Sequence, residues 1–123
     1  MAVSYAVSDP SRNSDSFWLW SEFDFNESSA TPLIVLKARS FVLRSIMYVE
    51  DLWNAGTPTV KIGSASDNGL LVNGASLAAV GGQAFVSPVV FDGETVVNVY
   101  PTHGSSTAGR AIIGFEVLEV PLY

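Results

Sequence analysis

The stretch Phe17-Trp18-Leu19-Trp20-Ser21-Glu22-Phe23-Asp24-Phe25 decides the fold class. Read with a period of two, it separates into Phe17, Leu19, Phe23 and Phe25 on one side and Trp18, Trp20, Glu22 and Asp24 on the other. Side chains of a strand alternate between its faces, so this segment buries the first set and turns the second outward. Helical spacing would scatter the same four apolar residues around a cylinder. The pattern predicts a half-buried β-strand.

The rest of the chain repeats that signal between breakers. Residues 41–50, FVLRSIMYVE, are rich in β-branched and aromatic types and predict a long strand. Leu43, Ile46, Met47 and Glu50 also fit a three-four helical spacing, but no capping box precedes them. A short strand is expected at 59–62, between Pro58 and Gly63. Another is expected at 69–72, closed by the turn dipeptide Asn73-Gly74. Residues 76–80 suit a loop or a single helical turn ended by Gly81-Gly82. Residues 85–91 are strand-like, with Pro88 confining them to an edge or a bulge. Strands at 95–100 and 110–120 follow, the latter with Ile113, Phe115 and Val117 on one face and Glu116 between them.

Roughly eight or nine short strands with almost no helix predict an all-β antiparallel β-sandwich. Eight strands in two sheets is the jelly-roll count, so a jelly-roll-like arrangement is expected. No repeat at a fixed period points to a propeller or solenoid. Residues 17–123 are expected to form the single domain. Residues 1–16, with the polar run SDPSRNSDS at 8–16, are expected to form an N-terminal arm, flexible or laid across a neighbour.

Composition narrows the function. The 123 residues suit one domain, and the 48% hydrophobic and 15% charged fractions are those of a folding chain. With no cysteine, neither disulfides nor thiolate metal sites are available. The net charge is −6, and Lys37, Arg39, Arg44, Lys61 and Arg110 are dispersed among acids. Nucleic acid and anionic membranes need clustered cations, so neither is expected as a partner. The strongly apolar run at 33–36 is far shorter than the ~20 residues that span a bilayer. The first residues show no signal-peptide pattern, so no passage through a membrane is expected.

Chemistry is hard to find. His103, in Pro101-Thr102-His103-Gly104-Ser105-Ser106, is the single histidine and invites a triad with a serine and an acid. No Gly-x-Ser-x-Gly elbow accompanies it, and a solvated loop is the expected setting. The acids Glu22, Asp24, Glu50, Asp51, Asp92 and Glu94 are no better suited to glycoside hydrolysis than any other pair among twelve. Ser64-Ala65-Ser66-Asp67-Asn68-Gly69 loosely resembles a calcium loop but lacks the acids of an EF-hand. No catalytic, metal or cofactor residue is therefore assigned. Trp18, Trp20 and Trp53 are the candidate interface residues, since outward aromatics mark contact sites; covering by a loop or sheet, or stacking on sugars, are the alternatives.

One resemblance spans residues 33–118. It is carried by Ala38-Arg39-Ser40-Phe41-Val42-Leu43, by Tyr48-Val49-Glu50-Asp51-Leu52-Trp53 and by Thr59-Val60-Lys61-Ile62-Gly63-Ser64 continuing to Gly69-Leu70-Leu71. Val97-Asn98-Val99-Tyr100-Pro101 and Thr107-Ala108-Gly109-Arg110-Ala111 complete it. These segments resemble small virion structural proteins of tailed bacteriophages, including head-decoration (cement) and fibre-like β-sandwich proteins. The resemblance implies a non-enzymatic protein on the capsid surface that binds the major capsid protein or other virion proteins. It also implies a dimer or trimer without cofactor. A fibre, receptor-binding or carbohydrate-binding sandwich is the alternative.

Overall fold

The computed structural model describes residues 5–7, 16–27, 30–86, 88–102 and 105–119. These residues hold ten strands: β1 (Tyr5–Val7), β2 (Phe17–Asp24), β3 (Thr31–Leu36), β4 (Ser40–Asp51), β5 (Thr59–Gly63), β6 (Val72–Ser76), β7 (Gly81–Phe85), β8 (Val89–Phe91), β9 (Thr95–Thr102) and β10 (Arg110–Glu119). They contain no helix. The deciding segment is β2, and the ambiguous run at 41–50 is the strand β4.

Every strand pair is antiparallel. One sheet runs β1-β2-β10-β4-β7, with β8 also pairing β4, and the other runs β3-β9-β5-β6. Strands β7 and β8 lie along the same side of β4, against Ser45–Val49 and Ser40–Val42. They amount to one edge strand interrupted near Pro88, which has no N–H to give to a ladder. Counted so, and with β1 set aside as an addition to the β2 edge, the sandwich has eight strands. The orders β2-β10-β4-β7 and β3-β9-β5-β6 are jelly-roll-like, the chain crossing repeatedly between sheets. Residues 1–4 and 8–15 of the expected arm lie outside the described residues.

Alternation fills the space between the sheets. Phe23, Val42, Met47, Val49, Ala111, Ile113, Phe115 and Val117 come from one sheet, and Leu33, Ile34, Leu36, Val60, Ile62, Val72, Val97 and Val99 from the other. Leu33 and Ile34 are consecutive and both buried because the register shifts between Pro32 and Ile34, the mark of a bulge.

One turn expectation is corrected. Asn73-Gly74 is not a hairpin turn but lies inside β6. Val60 pairs Ala75 while Lys61 pairs Asn73, so Gly74 is the extra residue of a bulge, at a φ of 86° that glycine accepts readily. Gly81-Gly82 ends the loop by opening β7, paired with Val49 and Tyr48. Residues 77–80 form the loop before it, tied down by buried Leu77, whose N–H donates to the Pro58 carbonyl.

Candidate interaction face

Strand order and register decide which outward side chains meet. On the outside of the larger sheet, Trp20 of β2 lies opposite Gly114 of β10, which lies opposite Ile46 of β4. One row along, Trp18 lies opposite Glu116, and Glu116 opposite Arg44. In the other direction, Glu22, Ile112 and Tyr48 form the next row. The outward face of β2 thereby continues into an apolar strip of Trp18, Trp20, Ile46, Ile112 and Tyr48.

The strip is a built surface. The Trp18 and Trp20 rings stack with centroids 5.5 Å apart and an interplanar angle of 20°. The six-membered ring of Trp20 takes the space where a Cβ on Gly114 would stand, with Trp20 Cζ3 at 2.5 Å from that position. Any larger residue there would lift the indole. The Arg44 guanidinium sits 5.4 Å above the Trp18 ring, a cation–π contact. Arg44 Nε donates to Glu116 Oε1 at 2.9 Å, and Ser16 Oγ donates to Glu116 Oε2 at 2.9 Å. Two tryptophans are thus held in defined positions although Trp20 remains 36% and Tyr48 48% exposed. Ordering large aromatics at the surface lowers the entropy lost when a partner covers them.

One end of the face is acidic. Arg110 lies opposite Asp24 on one side and Asp51 on the other, and its Nη2 donates to Glu50 Oε2 at 3.0 Å. The hydrogen bond and charge of Glu50, with Glu22 and Asp51 nearby, hold the Arg110 guanidinium above its ordinary pKa.

Trp53 is not part of this face. It is 3% exposed, tilted against Phe23 at 5.7 Å, and its ring lies over Gly109 inside the core. Its backbone N–H donates to the Leu77 carbonyl, which turns the chain inward after β4. Burial in the core takes Trp53 out of the candidate contact set and leaves Trp18 and Trp20. Gly114, Arg44, Glu116, Ile46, Ile112 and Tyr48 were missed as members. Their period-two positions on β4 and β10 were visible in the sequence, but not the register that sets them beside β2.

The serine-rich loop resolves into a structural role. In the serine-rich loop, the Asp67 N–H bonds Ser64 Oγ and Asp67 Oδ1 accepts from the Gly69 N–H, as in an ordinary turn. Among the described residues no cluster of three or more His, Cys, Asp or Glu is arranged for a metal. No helix among them is long and apolar enough to cross a membrane. His103 lies outside the described residues.

No protein-family model matches the sequence, and no curated protein matches it. The fold does have solved counterparts. A chain of the acidic stable capsid structure of Helicobacter pylori bacteriophage KHP30 is 16% identical, with a TM-score of 0.70 over 95% of this chain and 92% of that one. A chain of the cyanophage Pam1 capsid asymmetric unit is 15% identical, with a TM-score of 0.66 over 94% and 93%. A chain of the capsid of Ralstonia phage GP4 is 19% identical, with a TM-score of 0.56 over 94% and 91%. At these identities the likeness defines a shared fold.

Proposed function

We propose that the chain is a non-enzymatic structural protein of a phage virion, and specifically a decoration protein that binds and reinforces the head lattice from its surface. The observation that carries this reading is the end-to-end match with chains of the three phage capsids. It covers 95% of this chain and 92% of its counterpart in KHP30, so the counterpart is itself about this size. A chain of that size, matched whole, suits a separate small subunit better than one domain of a large shell protein.

The reinforcing partner in this reading is the major capsid protein, and the Trp18–Trp20 strip is the contacting face. Buried aromatics in a fixed position are the residues from which interfaces draw most of their affinity. A lattice offers repeated sites around symmetry axes, to which a dimer or trimer is suited. Carbohydrate stacking is less well served, because Trp18 and Trp20 stack on each other while Gly114 and Arg44 pack against them.

The test is co-sedimentation with empty head shells of the phage that encodes the chain. Wild type is expected to bind saturably, and the Trp18→Ala/Trp20→Ala double variant to bind at least about 30-fold more weakly, the loss of one hot spot or more. Wild type that stays in the supernatant at every concentration overturns the reading.

A further inference from the structure

Among the described residues, asparagine is followed by glycine at Asn68-Gly69, in the serine-rich loop, and at Asn73-Gly74, in β6. Asparagine is a thermolabile residue, because its carboxamide is open to attack by the backbone nitrogen of the next residue. Glycine, with no Cβ, hinders that approach least. Asn26, Asn54 and Asn98 precede Glu27, Ala55 and Val99, each of which carries a Cβ. Asn54 is also tied at both ends of its carboxamide: Nδ2 donates to Thr107 Oγ1 at 3.0 Å, and Oδ1 accepts from the Thr107 N–H at 2.8 Å. Asn68 and Asn73 are both exposed, so access to solvent does not separate them. What holds the backbone does.

Asn73 lies opposite Lys61 and Ala75 opposite Val60, with Gly74 as the bulge between them. Bringing the Asn73 carboxamide onto the Gly74 nitrogen means rotating the backbone at a paired position of β6. Its side chain is placed as well, with Oδ1 standing 2.7 Å from where a Cβ on Gly69 would be. Asn68 and Gly69 belong to neither sheet. They are the central pair of a turn in which the Leu70 N–H donates to the Asp67 carbonyl at 3.3 Å. The loop is anchored on either side of them, the Ser64 N–H donating to the Asp67 carbonyl and the Leu71 N–H to the Ile62 carbonyl, each at 2.9 Å. Between those anchors the Gly69 N–H reaches Asp67 Oδ1 at 3.3 Å. Hydrogen bonds this long are weak, so rotation about Asn68 meets less resistance than rotation about Asn73.

We infer that Asn68 is a site of spontaneous deamidation in the folded protein, and that Asn73, with the same dipeptide, is protected by its place in β6. This goes beyond the virion reading and does not depend on it. In the first step the Gly69 nitrogen loses its proton and bonds to Asn68 Cγ. The Cγ–Nδ2 bond breaks, and Nδ2 leaves as ammonia with that proton. In the second step a solvent water opens the cyclic imide at either carbonyl, leaving an aspartyl or an isoaspartyl residue. Either product adds a negative charge beside Asp67. The isoaspartyl form also adds one backbone atom to a turn that packs on bare Gly63, where a Cβ would stand 2.8 Å from Leu70 N and closer still to the Asp67 carbonyl oxygen.

Peptide mapping of the full-length chain tests it. Folded protein is held for weeks at mildly alkaline pH, where the attacking amide loses its proton more readily, and is then digested. The unmodified, aspartyl and isoaspartyl forms of each peptide are separated by chromatography and quantified by mass spectrometry. Conversion at Asn73 is expected to be at least about tenfold slower than at Asn68, as for a reaction that waits on local opening of the ladder. In denaturant, where no ladder remains, the two rates are expected to converge. Equal rates in the folded protein, or faster conversion at Asn73, overturn the inference. So does an Asn68 that stays intact in the folded chain and converts only in denaturant. A gap between the two sites that persists unchanged in denaturant belongs to the local sequence rather than to β6, and overturns it as well.

Discussion

On the outside of the larger sheet the outward positions of β2, β4 and β10 hold Trp18, Trp20, Ile46, Tyr48 and Ile112. On the outside of the smaller one, β5, β6 and β9 hold Thr59, Lys61, Asn73, Tyr100 and Thr102 at the equivalent positions. Both faces arise from the same alternation over the same core. On the smaller sheet the outward aromatic is tied down by hydrogen bonds: Tyr100 Oη donates to the Ser64 carbonyl at 3.1 Å and accepts from Asn98 Nδ2 at 3.3 Å. Its exposed apolar pair, Val35 opposite Val96, is confined to the β3 margin. The larger sheet instead holds aromatics in place by stacking, with polar groups at the ends. A surface can thus be ordered by hydrogen bonds within itself, or ordered with its apolar area left exposed, and the second kind is the one proposed above to meet a partner.

The comparison is most sharply tested at the strand that serves both core and face. Phe23 and Trp20 lie on opposite sides of β2, Phe23 at 1% exposure. Phe23→Ala is expected to cost about 3–5 kcal/mol in denaturant unfolding, well above the cost of Trp20→Ala. Equal costs would mean that Trp20 is a core residue in energetic terms and that the strip is no free surface. A middle-sized effect is expected at the seat of the indole. Gly114→Val should cost about 1–3 kcal/mol and red-shift tryptophan emission as Trp20 is lifted into solvent. Lys61→Val, on an outward position of the smaller sheet, should stay within about 0.5 kcal/mol. Similar responses at the two positions would remove the distinction between the faces. A small effect is also expected at the ion pair over Trp18. Arg44→Met keeps much of the side-chain bulk and should cost less than about 1 kcal/mol, with little further change in high salt.

The aromatic residues show how much was legible in advance. Trp18 and Trp20 were readable as outward because they alternate with Phe17, Leu19 and Phe23 within one strand, and alternation is a local property of the backbone. Trp53 was not, because it stands just past the end of β4 where no period applies, and its burial depends on Phe23, Leu77 and Gly109 from distant parts of the chain. The same limit explains Asn73-Gly74. The dipeptide favours a left-handed backbone, but whether that conformation makes a turn or a bulge depends on the strand lying beside it.

By itself, then, the sequence determined the β class, the positions of most strands and the inward set of each. Each of these follows from the chemistry of neighbours a few residues apart. The tertiary structure alone decided that β10 lies between β2 and β4, and with it that Gly114 makes room for Trp20, that Glu116 meets Arg44, and that Arg110 sits among Asp24, Glu50 and Asp51. Those residues are far apart along the chain, and their meeting depends on strand order and register. A one-residue slip would reverse which side chains face out, so the face exists only once the whole sheet is assembled.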